Sequence, residues 1–180
     1  MPNFADADDL AKLVSSVTET MCATTFVPSD PLARGESLCG RMILLPMHGE
    51  RQVNVLLACD GGGRRALAGA FFGMPPNETT EDVAEDAIRE LLNMVAGQVS
   101  RALGLDLTLG LPRVATLAEL GQNGGQIQDG VLLRSKGRID LRLWIFEVLP
   151  SNVSEQKNVG KAGLFKSLLR VFTPGASEPS

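Results

Sequence analysis

Residues 80–103, TEDVAEDAIRELLNMVAGQVSRAL, decide the fold. Thr80 is suited to cap a helix, Glu81 and Asp82 fall in its electropositive first turn, and Gly104 follows the last turn. At about 100° per residue, Ile88, Leu91, Leu92, Val95, Val99 and Ala102 share one face, which must be buried. On the opposite side Asp86, Glu90, Asn93 and Gly97 follow one another at helical spacing, within roughly 60°. A carboxylate and an amide therefore project side by side. Every amphipathic helix has a polar face, but two of these residues are poor choices if solubility is its only task. Glycine in a helix interior costs about 1 kcal/mol relative to alanine, and an asparagine side chain competes for backbone hydrogen bonds. The stripe is better suited to contact than to helix stability.

The segments on either side supply layers for this helix to pack on. Asp6 to about Thr25 has Leu10, Leu13, Val14, Val17 and Met21 at helical spacing behind acidic residues, which predicts a packing helix. Pro28, Pro31 and Gly35 break the chain, and 36–45 then reads as a strand. Pro46 to Gly49 is expected to turn into a second strand, Arg51 to Ala58, in which Val53, Val55 and Leu57 alternate. Asp60-Gly-Gly-Gly63 leads to a short helix over Arg64 to Phe72. It has neither phosphate-loop nor dinucleotide-loop spacing, so it reads as a plain strand-to-helix turn.

Beyond Gly104, Leu105, Leu107, Leu109 and Leu111 alternate, predicting a strand as far as Pro112. Gly121 to Gly130 is expected to be a loop. Val131 to Arg134 and Ile139 to Glu147 form a hairpin around Ser135-Lys136-Gly137, with Ile139, Leu141, Leu143 and Ile145 on one face and Asp140, Arg142, Trp144 and Phe146 on the other. Trp144 is expected in the core or at a subunit contact. The fold class is α/β of the α+β type, with long helices packed on a largely antiparallel sheet. One domain over residues 1–149 is expected, followed at 150–180 by an extension whose Gly160 to Phe172 segment is basic and amphipathic. Such a segment could touch acidic lipid or a partner groove, or fold back on the domain, which is the plainer reading.

Composition excludes several classes of function. A net charge of −4 argues against nucleic acid as a partner. No apolar run is long enough to span a bilayer and the N-terminus is acidic, so a cytoplasmic location is expected. Cys22, Cys39 and Cys59 lack disulfide or zinc spacing and read as small hydrophobes. His48 is the sole histidine, in the expected turn, which leaves Ser-His and metal chemistry without parts. Neither a metal nor a cofactor of the chain's own is expected.

The run Asp86-Ala-Ile-Arg-Glu90-Leu-Leu-Asn93-Met-Val-Ala-Gly97, followed by Leu111-Pro112, resembles the acidic-or-Ser, Glu, Asn and downstream Pro signature of the CheC/CheX/FliY chemotaxis phosphatases. The order of elements over roughly Asp6 to Val148 resembles the single-motif CheX branch, although the interval from Asn93 to Pro112 is a few residues shorter than in the family. The resemblance implies an aspartyl-phosphate phosphatase, a hydrolase acting on a phosphorylated CheY-type receiver domain in chemotaxis or related two-component signalling. It implies Glu90 and Asn93 as the catalytic pair, Mg2+ on the receiver and a homodimer. Asp86, at the motif's first position, is read as helix-capping or docking support, and Gly97 as a docking position. Two other readings use the same features: a non-catalytic module that binds the receiver, and a motor-associated scaffold that works through the tail.

Overall fold

The computed structural model describes residues 6–29, 40–75, 77–116, 130–137 and 139–148. In chain order these form α1 (Ala7–Cys22), β1 (Phe26–Pro28), β2 (Arg41–His48), β3 (Val53–Cys59), α2 (Gly61–Phe72), α3 (Glu81–Leu103), β4 (Thr108–Leu109), β5 (Arg113–Ala115), β6 (Val131–Ser135) and β7 (Asp140–Glu147). The strands make one sheet in the order β1-β6-β7-β3-β2-β4, with β5 also on β2, and the described pairings are all antiparallel. This is the architecture expected from the sequence, with three described helices on one face.

The centre of the sheet is β3, all seven residues of which are buried. Its alternate side chains serve two cores. Val53, Val55, Leu57 and Cys59 meet the helices together with Ile43, Leu45 and Met47 of β2 and Leu141 and Leu143 of β7. Leu56 and Ala58 lie on the reverse face with Met42, Leu44, Ala115 and Trp144. Trp144 is therefore a core residue, and the two faces of β7 are those its alternation predicts. From the helix layer, Leu10, Val14 and Val17 of α1 and Leu67 of α2 join Ile88, Leu91, Leu92, Val95 and Val99 of α3.

Several elements differ from the expected ones. The first helix ends at Cys22, where Ala23 takes a left-handed conformation and donates to Glu19 and Thr18. The chain then enters β1, which no sequence pattern announced. It is held by Ser15, whose Oγ donates to the Phe26 carbonyl and accepts from its N–H at 2.8 Å. α2 starts at Gly61, three residues before the expected start, because Asp60 caps it and accepts from the Gly63 N–H. Gly63 has to be glycine, since a Cβ there would lie 2.6 Å from the Cys59 sulfur.

Pro46 and His48, expected in a turn, belong to β2, which runs on through His48. Pro46 is tolerated because the strand beside it is interrupted. β2 pairs with β4 through Met47 and Leu109 and with β5 through Leu44 and Arg113, so three steps on β2 face four on its neighbour. That extra residue is a bulge in an edge strand, where a missing proline N–H costs no ladder bond. The strand expected up to Pro112 is consequently cut to the two residues of β4, and β5 begins just beyond it. Of its alternating leucines only Leu107 is buried, and Leu111 is 87% exposed. Residues 30–39, 121–129 and 150–180, which include Cys39, most of the expected glycine-rich loop and the basic extension, lie outside the described residues.

Two outcomes test this packing. Leu92 is fully buried between α3 and the sheet, so Leu92→Ala should lower unfolding free energy by about 2–5 kcal/mol, read from urea denaturation. The Arg51 guanidinium ties the loop before β3 to Glu147 at the end of β7, with Nε donating to Oε1 at 2.8 Å. That hydrogen bond holds the Glu147 carboxyl below its ordinary value. A depressed folded pKa means the stabilisation is complete above the unfolded value of about 4.3 and is lost as pH falls through the folded one. The gap in thermal midpoint between wild type and Glu147→Gln should therefore be open at neutral pH and narrow below about pH 4.

Candidate functional site

Local signals place α3 where the sequence expects it. Thr80 is its N-cap and accepts from the Val83 N–H at 3.4 Å, while Gly104, at φ 63°, closes the C-terminus by donating to the Arg101 and Ser100 carbonyls. The buried face comprises Ala84, Ala87, Ile88, Leu91, Leu92, Val95, Ala96 and Val99. The three alanines went unnoticed in the periodicity. Ala102, expected on that face, is exposed, and Leu103 beside it packs against the core instead.

With this face fixed, the four residues of the stripe come out together on the opposite edge. Asp86 and Glu90 are exposed, and Asn93 and Gly97 are half-buried. Asp86 is the sixth residue of the helix and caps nothing, since Thr80 does that. The capping half of its expected role is thereby corrected.

The carboxylates of α3 divide into two groups. Glu81 pairs with Arg64 and Arg65 of α2. Glu85 accepts from Arg89 at 2.6 Å and pairs with Arg41 of β2 at 3.0 Å. These pairs tie the helix to its neighbours. Asp86, Glu90 and Asn93, by contrast, make no hydrogen bond or ion pair among the described residues. Their polar groups face water and are available to a partner.

Arg89, which sequence reasoning passed over, links the two parts of the motif. Its Nη1 donates to the Pro112 carbonyl at 2.7 Å while Nε and Nη2 hold Glu85. From the other side the Gly110 N–H donates to the Pro46 carbonyl at 2.7 Å. A Cβ on Gly110 would come within 2.8 Å of Pro46, so the bulge needs glycine there. The bulge around Leu111 is thus clamped at both ends beside the stripe. The Glu85 and Arg89 spacing of four was the available signal, but it says nothing about Pro112.

Other chemistry finds little support. Burial pushes the Cys59 thiol up to about 12, with Asp60 adding to the effect, so it is not a nucleophile at neutral pH. Among the described residues no three His, Cys, Asp or Glu side chains cluster as metal ligands, and His48 is exposed at the end of β2. No described helix is long and apolar enough to cross a membrane. What the stripe offers is a carboxylate and an amide one turn apart. The amide can both accept from and donate to a water molecule.

The family model described as chemotaxis phosphatase CheX matches residues 42–126, from β2 through the stripe and the Pro112 bulge. Over these residues the chain is similar to CheX. Solved structures agree in fold: chemotaxis protein CheX from Vibrio vulnificus is 19% identical, with 76% of this chain and 93% of that one covered at a TM-score of 0.55. A putative chemotaxis protein from Desulfovibrio vulgaris Hildenborough is 14% identical, with 78% and 95% covered and a TM-score of 0.58. The CheX-CheY-BeF3-Mg2+ complex from Borrelia burgdorferi matches at 13% identity, 81% and 99% coverage and a TM-score of 0.56. No curated protein matches. The CheX-like fold thus holds the acidic stripe and the proline bulge of one motif against each other through a single arginine.

The clamp can be tested directly. Arg89→Met keeps the helical stem and releases the Pro112 carbonyl, so amide exchange over residues 108–115 should accelerate while α3 stays protected. Unchanged exchange in that segment would show that Gly110 and Pro46 hold the bulge unaided.

Proposed function

We propose that this CheX-like chain hydrolyses the phospho-aspartate of a CheY-type response-regulator receiver, with Glu90 and Asn93 as the pair inserted beside the phosphoryl group. The observation that carries this reading is that these two side chains, alone with Asp86 among the stripe's polar groups, have no task inside the described fold. Asn93 orients a water in line with phosphorus, its amide oxygen accepting one water proton. Attack forms the new P–O bond as the bond to the aspartyl oxygen breaks. The receiver's carboxylate and inorganic phosphate are the products, and the water's proton passes to phosphate or solvent. Glu90 meets a cation of the receiver and fixes the docking angle, with Asp86 and Gly97 flanking it. Mg2+ belongs to the receiver and neutralises charge on the phosphoryl oxygens. No base is required of this chain, because positioning alone can supply several kcal/mol.

Resemblance to the CheX branch supports a homodimer, and the absence of an apolar span among the described helices is compatible with the cytoplasmic location expected from the sequence. Residues 1–149 form the phosphatase unit on this reading, with 150–180 as an extension.

The experiment is to follow loss of phospho-aspartate from a panel of acetyl-phosphate-labelled receiver domains. Wild type should accelerate decay of at least one. Asn93→Ala should lose roughly 100-fold or more of that acceleration while still binding, and Glu90→Ala should weaken both binding and rate. Equal rates for wild type and Asn93→Ala would refute the role of the amide. Binding without acceleration by wild type would make the chain a receiver-docking module instead.

A further inference from the structure

Gly97 is not required by the fold around it. A Cβ built at Gly63, Gly110 or Gly130 would strike a neighbour at 2.1–2.8 Å, but at Gly97 it would meet nothing within 4 Å. Its backbone is ordinary helix, outside the positive-φ positions that favour glycine. What the missing side chain leaves is space. A cavity of about 320 Å³ opens between α1 and α3, with Val17 at its floor, Met94 and Gly97 on the α3 side, and half-buried Gln98 with the exposed Met21 and Arg101 around its mouth. Met21 is 44% exposed although it sits at a helical spacing that would normally bury it.

We propose that this groove seats an apolar side chain of the docked receiver. The inference rests on the proposed docking of a receiver over Glu90 and Asn93. Gly97 is one turn beyond Asn93 on the same edge, about 6 Å along the axis. A specific interface covers about 800 Å² on each partner, so a receiver reaching both Glu90 and Asn93 also covers the groove. An apolar floor with polar groups at the mouth accepts an aliphatic or aromatic side chain, and the bare backbone at Gly97 lets it approach α3 closely. The groove is therefore a specificity element: it selects receivers carrying a large apolar residue at that distance from the phosphorylation site.

The test uses the full chain and a receiver that wild type dephosphorylates, loaded with beryllofluoride and Mg2+ to measure Kd and phosphorylated to measure KM and rate. Gly97→Leu, which fills the groove, should raise the Kd and the KM at least tenfold while the rate at saturating receiver stays within threefold. Gly97→Ala should weaken binding less and raise the thermal midpoint by about 2–4 °C, which separates loss of docking from loss of fold. Met21→Ser, on the α1 wall, should also weaken binding. Wild-type affinity in Gly97→Leu would overturn the groove's role and leave the phosphatase reading intact. Conversion of a dimer to monomers by Gly97→Leu would assign the groove to a second copy of the chain and equally overturn it. Failure of wild type to bind or dephosphorylate any receiver would instead remove the reading on which it rests.

Discussion

The rotation of α3 about its own axis is the constraint on which the site depends. Eight side chains, from Ala84 to Val99, are buried on one side of the helix, most of them against the β2-β3 hairpin and α2. Turning the helix by one residue, about 100°, would lift Ile88 and Leu92 out of the core and put Glu90 in the buried place of Leu91. Burying an unpaired carboxylate costs several kcal/mol and exposing Ile88 and Leu92 costs about as much again. No polar contact has to hold the stripe outward. The hydrophobic face of the same helix does so, and the small residues Ala68, Ala84 and Ala87 let α2 lie close enough to lock it.

That dependence explains what could be read from the sequence. The helix, its caps and the angle between its two faces are local properties of twenty-odd residues, so periodicity found α3, and with it Asp86, Glu90, Asn93 and Gly97. The antiparallel sheet was legible where strands are long and alternate, as in β3 and β7. It failed at β1 and β5 and overran β4, which are two or three residues each and are defined by what they lie beside. Leu109 and Leu111 kept a strand's alternation without a strand's burial, because the bulge opposite Pro46 turns that segment outward. The Arg89 bond to Pro112 and the groove beside Gly97 both join segments far apart in the chain. Nothing within α3 alone could have announced either.

The separation of charges on α3 bears on chemistry as well as on packing. Glu81 and Glu85 are committed to arginines of α2, β2 and α3 itself, at partly exposed positions where each pair contributes little to stability but fixes a side chain's direction. The neighbouring positions are left without partners. Had Arg89 been free, it could reach Asp86, three residues earlier on the helix surface, and compete with a receiver's cation for that carboxylate. Holding the Pro112 carbonyl and Glu85 together keeps its charge engaged elsewhere.

On the proposed reading, this arrangement also accounts for selectivity without a deep pocket. The chain contributes a water-holding amide and an orienting carboxylate, while the metal, the phosphoryl group and its counter-charges reside on the partner. Neither half is competent alone. A small acyl phosphate in solution would bring the bond to be broken but not the surface that places it against Asn93, and the entropic advantage of fixed orientation would be absent. Discrimination then has to come from the contact area surrounding the reacting atoms. On α3 that area runs from Asp86 past Asn93 to Gly97, where the helix gives up a side chain that its own fold could have accommodated.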